Sequence, residues 1–157
     1  ARRQSLSIRA NHYLPVDAEG VPTAPLCALA GRECDFRASR TVHGIYDHAF
    51  LLEAGCADLC LPAAQLRASD QRVHLDIHTS LPALQLYTGQ FLAEGTRDCA
   101  EPWPDCSGIA LEPQFLPDSP NHPEWPQPSC WLLPGQIYDH RIVYQFIAPS
   151  ACFPSHP

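Results

Sequence analysis

The chain has 157 residues, with 17 acidic side chains against 10 arginines and no lysine, a formal charge of −7. That length suits one domain with a real core, and 45% apolar against 17% charged residues argues against a disordered chain. Net negative charge argues against nucleic acid or an anionic membrane as partner, and no apolar run reaches the ~18 residues of a membrane span.

The opening residues, ARRQSLSIRA, are basic but lack an apolar signal core. The sequence contains no Met, which leaves room for residues upstream of Ala1. Ser5-Leu6-Ser7-Ile8-Arg9-Ala10 alternates polar with apolar, the pattern of a half-buried strand. A further strand is expected at 46–52. Residues 51–66 are apolar enough for a helix, but Gly55 and Pro62 interrupt it. Strands near 58–67 and 72–80 are expected to form a hairpin through the turn residues Ala68-Ser69-Asp70-Gln71, with Val73, Leu75 and Ile77 inward. Strands follow at 83–88, 108–112 and 137–147, the last with Ile142, Tyr144 and Phe146 on one face. Nine prolines between Pro102 and Pro134 forbid a long helix there. Low charge and Trp103, Trp125 and Trp131 mark that stretch as ordered loop. The expected architecture is mainly β, an antiparallel β-sandwich.

Eight cysteines stand at 27, 34, 56, 60, 99, 106, 130 and 152, with no C-x-x-C pair. Without a secretion signal, reduced and mostly buried thiols are expected, which points to the cytoplasm.

Three constellations carry possible chemistry. His74, Asp76 and His78 project from one strand face. Alternate residues rise ~6.6 Å, too wide for a compact metal site without outside ligands, so this is expected to be an exposed strand face. Asp47 and His48 are neighbours on a strand and point to opposite faces, so they do not form one dyad. Glu112 ends an apolar strand just before a proline-stiffened loop. By pattern alone it is equally a general base at a cleft mouth, its pKa raised by desolvation, or a strand-end carboxylate in water.

The run Leu111-Glu112-Pro113-Gln114-Phe115-Leu116-Pro117-Asp118-Ser119-Pro120-Asn121-His122-Pro123-Glu124-Trp125-Pro126 resembles a signature near the C-terminus of aldose 1-epimerases, the galactose mutarotases. Other segments match the family in the same order. They are His12-Tyr13-Leu14-Pro15-Val16-Asp17, Cys34-Asp35-Phe36-Arg37, Tyr46-Asp47-His48-Ala49-Phe50, Leu84 through Leu92, and Leu133-Pro134-Gly135-Gln136 through Tyr144-Gln145-Phe146. The resemblance implies a cofactor-free β-sandwich enzyme that interconverts the α and β anomers of free aldohexoses such as galactose and glucose, with no metal. It implies Glu112 as catalytic base, and Asp47 and Gln85 as substrate-binding residues.

The departures matter as much. The family's acid, a His within a His-Xaa-Tyr/Phe-Xaa-Asn-Leu stretch, has no counterpart here, nor do its Asn-Arg pair and second His. Full members are nearly twice as long. Residues 1–157 thus correspond to the C-terminal portion of one galactose mutarotase-type domain, with 149–157 a tail past the family's usual end. Gln90 stands for the usual Asn and Cys34 for the usual Phe, and the loop from Arg37 to Tyr46 is short. His48 and His122 lie nearest the motif residues. Neither is expected to replace the acid, and His122 is expected to fix its own loop by hydrogen bonds. Three readings stay open: part of an epimerase whose acid lies upstream, a truncated non-catalytic carbohydrate-binding relative, or a half-domain needing a partner segment.

Overall fold

A computed structural model describes residues 3–23, 25–95 and 103–148. Alternation at the start produces β1 (Ser5–Ile8), with Leu6 and Ile8 buried. The chain then crosses at Arg9 into the opposite layer as β2 (Ala10–Leu14). Two short pieces follow, β3 (Cys27–Ala28) and β4 (Arg40–Thr41), then β5 (Asp47–Leu52). The apolar stretch after β5 yields only a 3-10 turn at Ala54–Cys56, as its Gly and Pro interruptions foretell. The expected hairpin forms from β6 (Ala64–Arg67) and β7 (His74–Thr79), but its first strand is shorter than the expected 58–67, because residues 57–63 turn before Ala64. Its turn closes through Ala68 N–H to Val73 O at 3.0 Å, with Gln71 at φ 59°. Then come β8 (Ala83–Tyr87), a short α1 (Leu92–Gly95), β9 (Ala110–Gln114) and β10 (Ile142–Ile147).

These strands pair antiparallel in two five-stranded sheets, ordered β10-β7-β6-β1-β4 and β3-β2-β5-β8-β9. The main core lies between them. Leu6, Ile8 and Ile77 from the first sheet meet Phe50, Leu84 and Leu86 from the second. Phe36 sets its edge against Tyr46 and Phe50, with ring centroids 5.1 and 6.3 Å apart. A smaller core forms on the other face of the second sheet. There Leu116 and Trp125, from the proline-rich loop, cover Leu14, Ala49 and Ala83. The mainly β antiparallel expectation is met.

Several expectations need correction. Strand 108–112 lies two residues later and runs through Pro113; β9 is an edge strand, where a missing N–H costs no ladder bond. Of 137–147 only 142–147 is strand, and Ile137 is 88% exposed. Ile142, Tyr144 and Phe146 do share a face, because they sit opposite Thr79, Ile77 and Leu75 on the core side of the first sheet. Yet β10 is exposed, with Phe146 71% accessible. Val73 precedes β7 and is exposed, whereas Ile77 is buried as expected. His74, Asp76 and His78 are half-buried rather than solvated. Gln65 Nε2 donates to Asp76 Oδ1 at 3.0 Å, and His78 Nδ1 lies 2.8 Å from Leu59 O. Among the described residues no group of three His, Cys, Asp or Glu is placed to hold a metal ion.

The described cysteines Cys27, Cys34, Cys56, Cys60, Cys106 and Cys130 are free. Cys34, Cys56 and Cys106 are buried, while Cys60 is exposed. Burial pushes the Cys34 and Cys56 thiols up from their ordinary range. Cys99, Cys152 and the 149–157 tail lie outside the described residues. No described helix is long and apolar enough to cross a membrane.

Candidate functional site

Period-two alternation decides what the second sheet's outer face presents. On β5, His48 and Phe50 turn to the main core side, leaving Asp47, Ala49 and Leu51 outside. On β8, Leu84 and Leu86 are buried in the main core, so Ala83, Gln85 and Tyr87 point out. Register then aligns them: Leu14 opposes Ala49, Ala49 opposes Gln85, and Gln85 opposes Glu112. Directly opposed residues have Cβ atoms about 5 Å apart. Asp47 sits diagonally from Gln85, and the long amide closes the gap with Gln85 Nε2 donating to Asp47 Oδ1 at 2.6 Å.

The three residues singled out from the sequence therefore meet on one face, brought by three strands. Thr88 fixes the start of this arrangement. Its buried hydroxyl accepts from Tyr46 N–H at 2.9 Å, and its N–H donates to Tyr46 O at 3.0 Å, immediately before Asp47. Beyond it Gly89 turns at φ 71°, where a Cβ would meet Leu92 Cδ1 at 2.6 Å.

A pocket of about 120 Å³ opens beside Asp47 and Gln85, walled by Leu14, Val16, Pro22 and Pro117 and floored by Ala49. Gln85 Oε1 is buried and has no partner among the described residues. An unpaired buried acceptor costs ~1–3 kcal/mol. Glu112 is exposed on the open part of the face rather than in an enclosed cleft.

His48 behaves as its strand position dictates. It faces the inner layer beside Tyr13 and Tyr46, and burial pushes its pKa down against the opposing pull of Asp47's charge. Its Nδ1 accepts from Asp47 N–H at 3.1 Å. It is not a replacement acid for the outer face. His122 is engaged within its loop, as expected, contacting Glu124 at 2.8 Å and Asp118 at 3.3 Å.

Sequence reading missed the pocket walls. The Val16–Pro22 loop is a tight turn in which Asp17 Oδ1 accepts from Glu19 and Val21 N–H groups. Asp17-Ala18-Glu19-Gly20 is itself a turn signal. Tyr87, directly opposite Asp47, is recoverable by counting two residues from Gln85.

The family model described as Aldose 1-epimerase matches residues 1–145. The chain belongs to the aldose 1-epimerase family. The Aldose 1-epimerase of Escherichia coli (strain K12) is 46% identical over 160 residues, covering 94% of this chain and 46% of that protein. The Galactose mutarotase of Homo sapiens is 33% identical over 150 residues, covering 90% of this chain and 43% of that protein. The chain thus spans about half the length of the curated relatives it matches. In fold it resembles the GalM/aldose epimerase homologue from C. elegans, with a TM-score of 0.77 at 23% identity over 94% of this chain and 46% of the other. Galactose 1-epimerase from Lactobacillus acidophilus NCFM aligns with a TM-score of 0.67 at 23% identity over 94% of this chain and 44% of that one. The aldose 1-epimerase architecture therefore accounts for both sheets described above.

Proposed function

We propose that this chain supplies the general base and two sugar-holding side chains of an enzyme that interconverts the α and β anomers of free aldohexoses such as galactose and glucose. One observation carries the reading: Asp47 and Gln85 are hydrogen-bonded at 2.6 Å on the face where Glu112 stands directly opposite Gln85. In this mechanism Asp47 accepts hydrogen bonds from sugar hydroxyls, and the Gln85 amide, which can donate and accept, helps to hold them. Glu112 takes the proton of the C1 hydroxyl while an acid protonates the ring oxygen, and the C1–ring oxygen bond breaks to give the open aldehyde. Rotation about C1–C2 and closure on the other carbonyl face return both protons and give the other anomer. No cofactor or metal enters.

The acid belongs, in this proposal, to polypeptide corresponding to the part of the relatives that this chain does not match. Among the described residues His48 faces inward and His122 is held by two carboxylates. His12, on the outer face of β2, is three strands from β9, about 14 Å away. Uncovered apolar residues on the core side of β10, Ile142, Tyr144 and Phe146, support the same reading, since such a face calls for further polypeptide. We place the chain as the C-terminal portion of that enzyme, in a reducing compartment such as the cytoplasm, in keeping with its free described cysteines.

The test is polarimetry of α-galactose and α-glucose. The chain joined to the unmatched portion of the Escherichia coli relative accelerates mutarotation, and Glu112→Gln removes most of that acceleration. Undiminished activity in that variant refutes the assignment of the base. A non-catalytic sugar-binding module is the second reading, favoured by the exposed setting of Glu112. It predicts galactose binding with no acceleration in the joined protein.

A further inference from the structure

We propose that His122 is a positioning residue: its imidazolium clips the proline-rich loop onto the second sheet and so holds the Pro117 wall beside Asp47 and Gln85. The inference rests on the reading of that pocket as a sugar site.

Both ring nitrogens of His122 face carboxylate oxygens, Nδ1 at 2.8 Å from Glu124 Oε1 and Nε2 at 3.3 Å from Asp118 Oδ2. A neutral imidazole carries one N–H and one lone pair, so it satisfies only one of these acceptors, whereas the imidazolium donates to both. The ring also lies flat on Trp125, centroids 4.2 Å apart and planes 11° from parallel. A cation is attracted to that indole face. Trp125 is 6% exposed and packs with Leu14, Ala49 and Leu116, and Ala49 opposes Gln85 across the sheet. The clip thus presses on the floor of the pocket.

It also acts on the wall. Pro117 lines the pocket, and the next residue, Asp118, holds a left-handed conformation at φ 64° without being glycine. Aspartate adopts this conformation less readily than glycine and does so where its short side chain finds local hydrogen bonds. Here one Asp118 carboxylate oxygen accepts from Asn121 Nδ2 at 2.5 Å and the other faces His122. Ser119 Oγ donates to Leu116 O, and Gln127 bridges Ser119 Oγ and Leu116 N–H at 2.6 and 3.1 Å. Releasing His122 therefore frees one of the restraints on the residue beside Pro117. The hydrogen bond from His122 also holds the Glu124 carboxyl below its ordinary range.

Among the described residues, beyond Asp118 and Glu124, two other titratable groups lie beside this cluster. His12 of β2 shares a groove with Glu124 and Trp125, and Cys130 shares a small pocket with His122 and Trp125. His12 serves as the control, because it is the neighbouring histidine on that groove.

The experiment follows the Trp125 indole N–H and the Gln85 side-chain amide by NMR in the ligand-free 157-residue chain. Spectra run from about pH 5 to about pH 8, the range in which histidines change charge. In the wild type the two signals move together with pH. His122→Gln fixes both at their high-pH positions. His122→Arg fixes them at the low-pH positions, since guanidinium donates to both carboxylates, stacks on indole and does not titrate. His12→Gln leaves the wild-type curve. D-galactose then binds about tenfold more weakly to His122→Gln, the scale of one charge-assisted hydrogen bond, and His122→Arg restores it. A Gln85 amide indifferent to pH and to both His122 variants, with only the melting temperature moved, overturns the proposal. Ligand-free coupling with no galactose binding, in the chain or in the joined protein, sustains the clip and refutes the sugar site instead.

Discussion

Two regions of this molecule are exposed, and for opposite reasons. The outer face of the second sheet is capped at one end by Leu116 and Trp125, and at the other it presents Asp47, Gln85 and Glu112 over a floor of alanine. The core-side face of β10 presents Ile142, Tyr144 and Phe146 instead, the residues of an interior left without a cover. Polar groups held by register and by a buried threonine are, in the proposed reading, the surface that meets a sugar. Apolar groups at a sheet edge are, in the same proposed reading, the surface that further polypeptide covers. Exposure alone does not identify a site; the chemistry of what is exposed does.

The largest effect expected separates the two regions by activity. In the completed enzyme Glu112→Gln lowers the mutarotation rate by about 10²–10⁴. Its unfolding midpoint stays unchanged, because the side chain is exposed. The 157-residue chain alone, without a positioned acid, gives little acceleration by polarimetry.

Next comes packing. Phe50 is fully buried in the main core, so Phe50→Ala destabilises the chain by about 3–5 kcal/mol in urea unfolding. Phe146→Ala costs under about 1 kcal/mol in the isolated chain, since the ring is 71% exposed. In the completed protein the Phe146 penalty rises toward the Phe50 value; equal small costs in both settings break the contrast.

A smaller effect tests the polar face. Gln85→Met removes a buried unpaired acceptor along with the bond to Asp47. Stability changes by about 1 kcal/mol or less, while galactose binding, measured by NMR titration, is lost.

The smallest effect concerns a surface pair distant from both regions. Arg37 hydrogen-bonds and pairs with Asp35 at 2.8 Å, lowering the Asp35 pKa to about 2. A depressed folded pKa contributes stability above the unfolded value, and that contribution is lost as pH falls from near 4 toward about 2. Arg37 is 44% exposed, so solvent screening keeps the gain small. Urea unfolding at the two pH values shows this loss in wild type and not in Asp35→Asn.

Much of the fold was legible because alternation and turn chemistry are local. The β6–β7 hairpin, its turn at Ala68–Gln71 and the opposite pointing of Asp47 and His48 all follow from period two. The strand pairs β2–β3 and β1–β4 were not legible, because two-residue strands carry no periodic signal and exist only where a neighbour supplies hydrogen bonds. Proline at 113 made the strand end look earlier than it is, since only edge placement excuses it.

The sequence by itself determined the mainly β class and membership through long contiguous motifs, and it singled out Glu112, Asp47 and Gln85 as candidates. Those properties reside in residue type and short spacing. Only the tertiary structure decided that Asp47, Gln85 and Glu112 meet, since 65 residues of chain separate the first from the last and cross-strand register alone closes that distance. It alone revealed that Ile142, Tyr144 and Phe146, patterned for burial, remain uncovered, because burial depends on which surfaces are present to pack and not on the pattern that invites them.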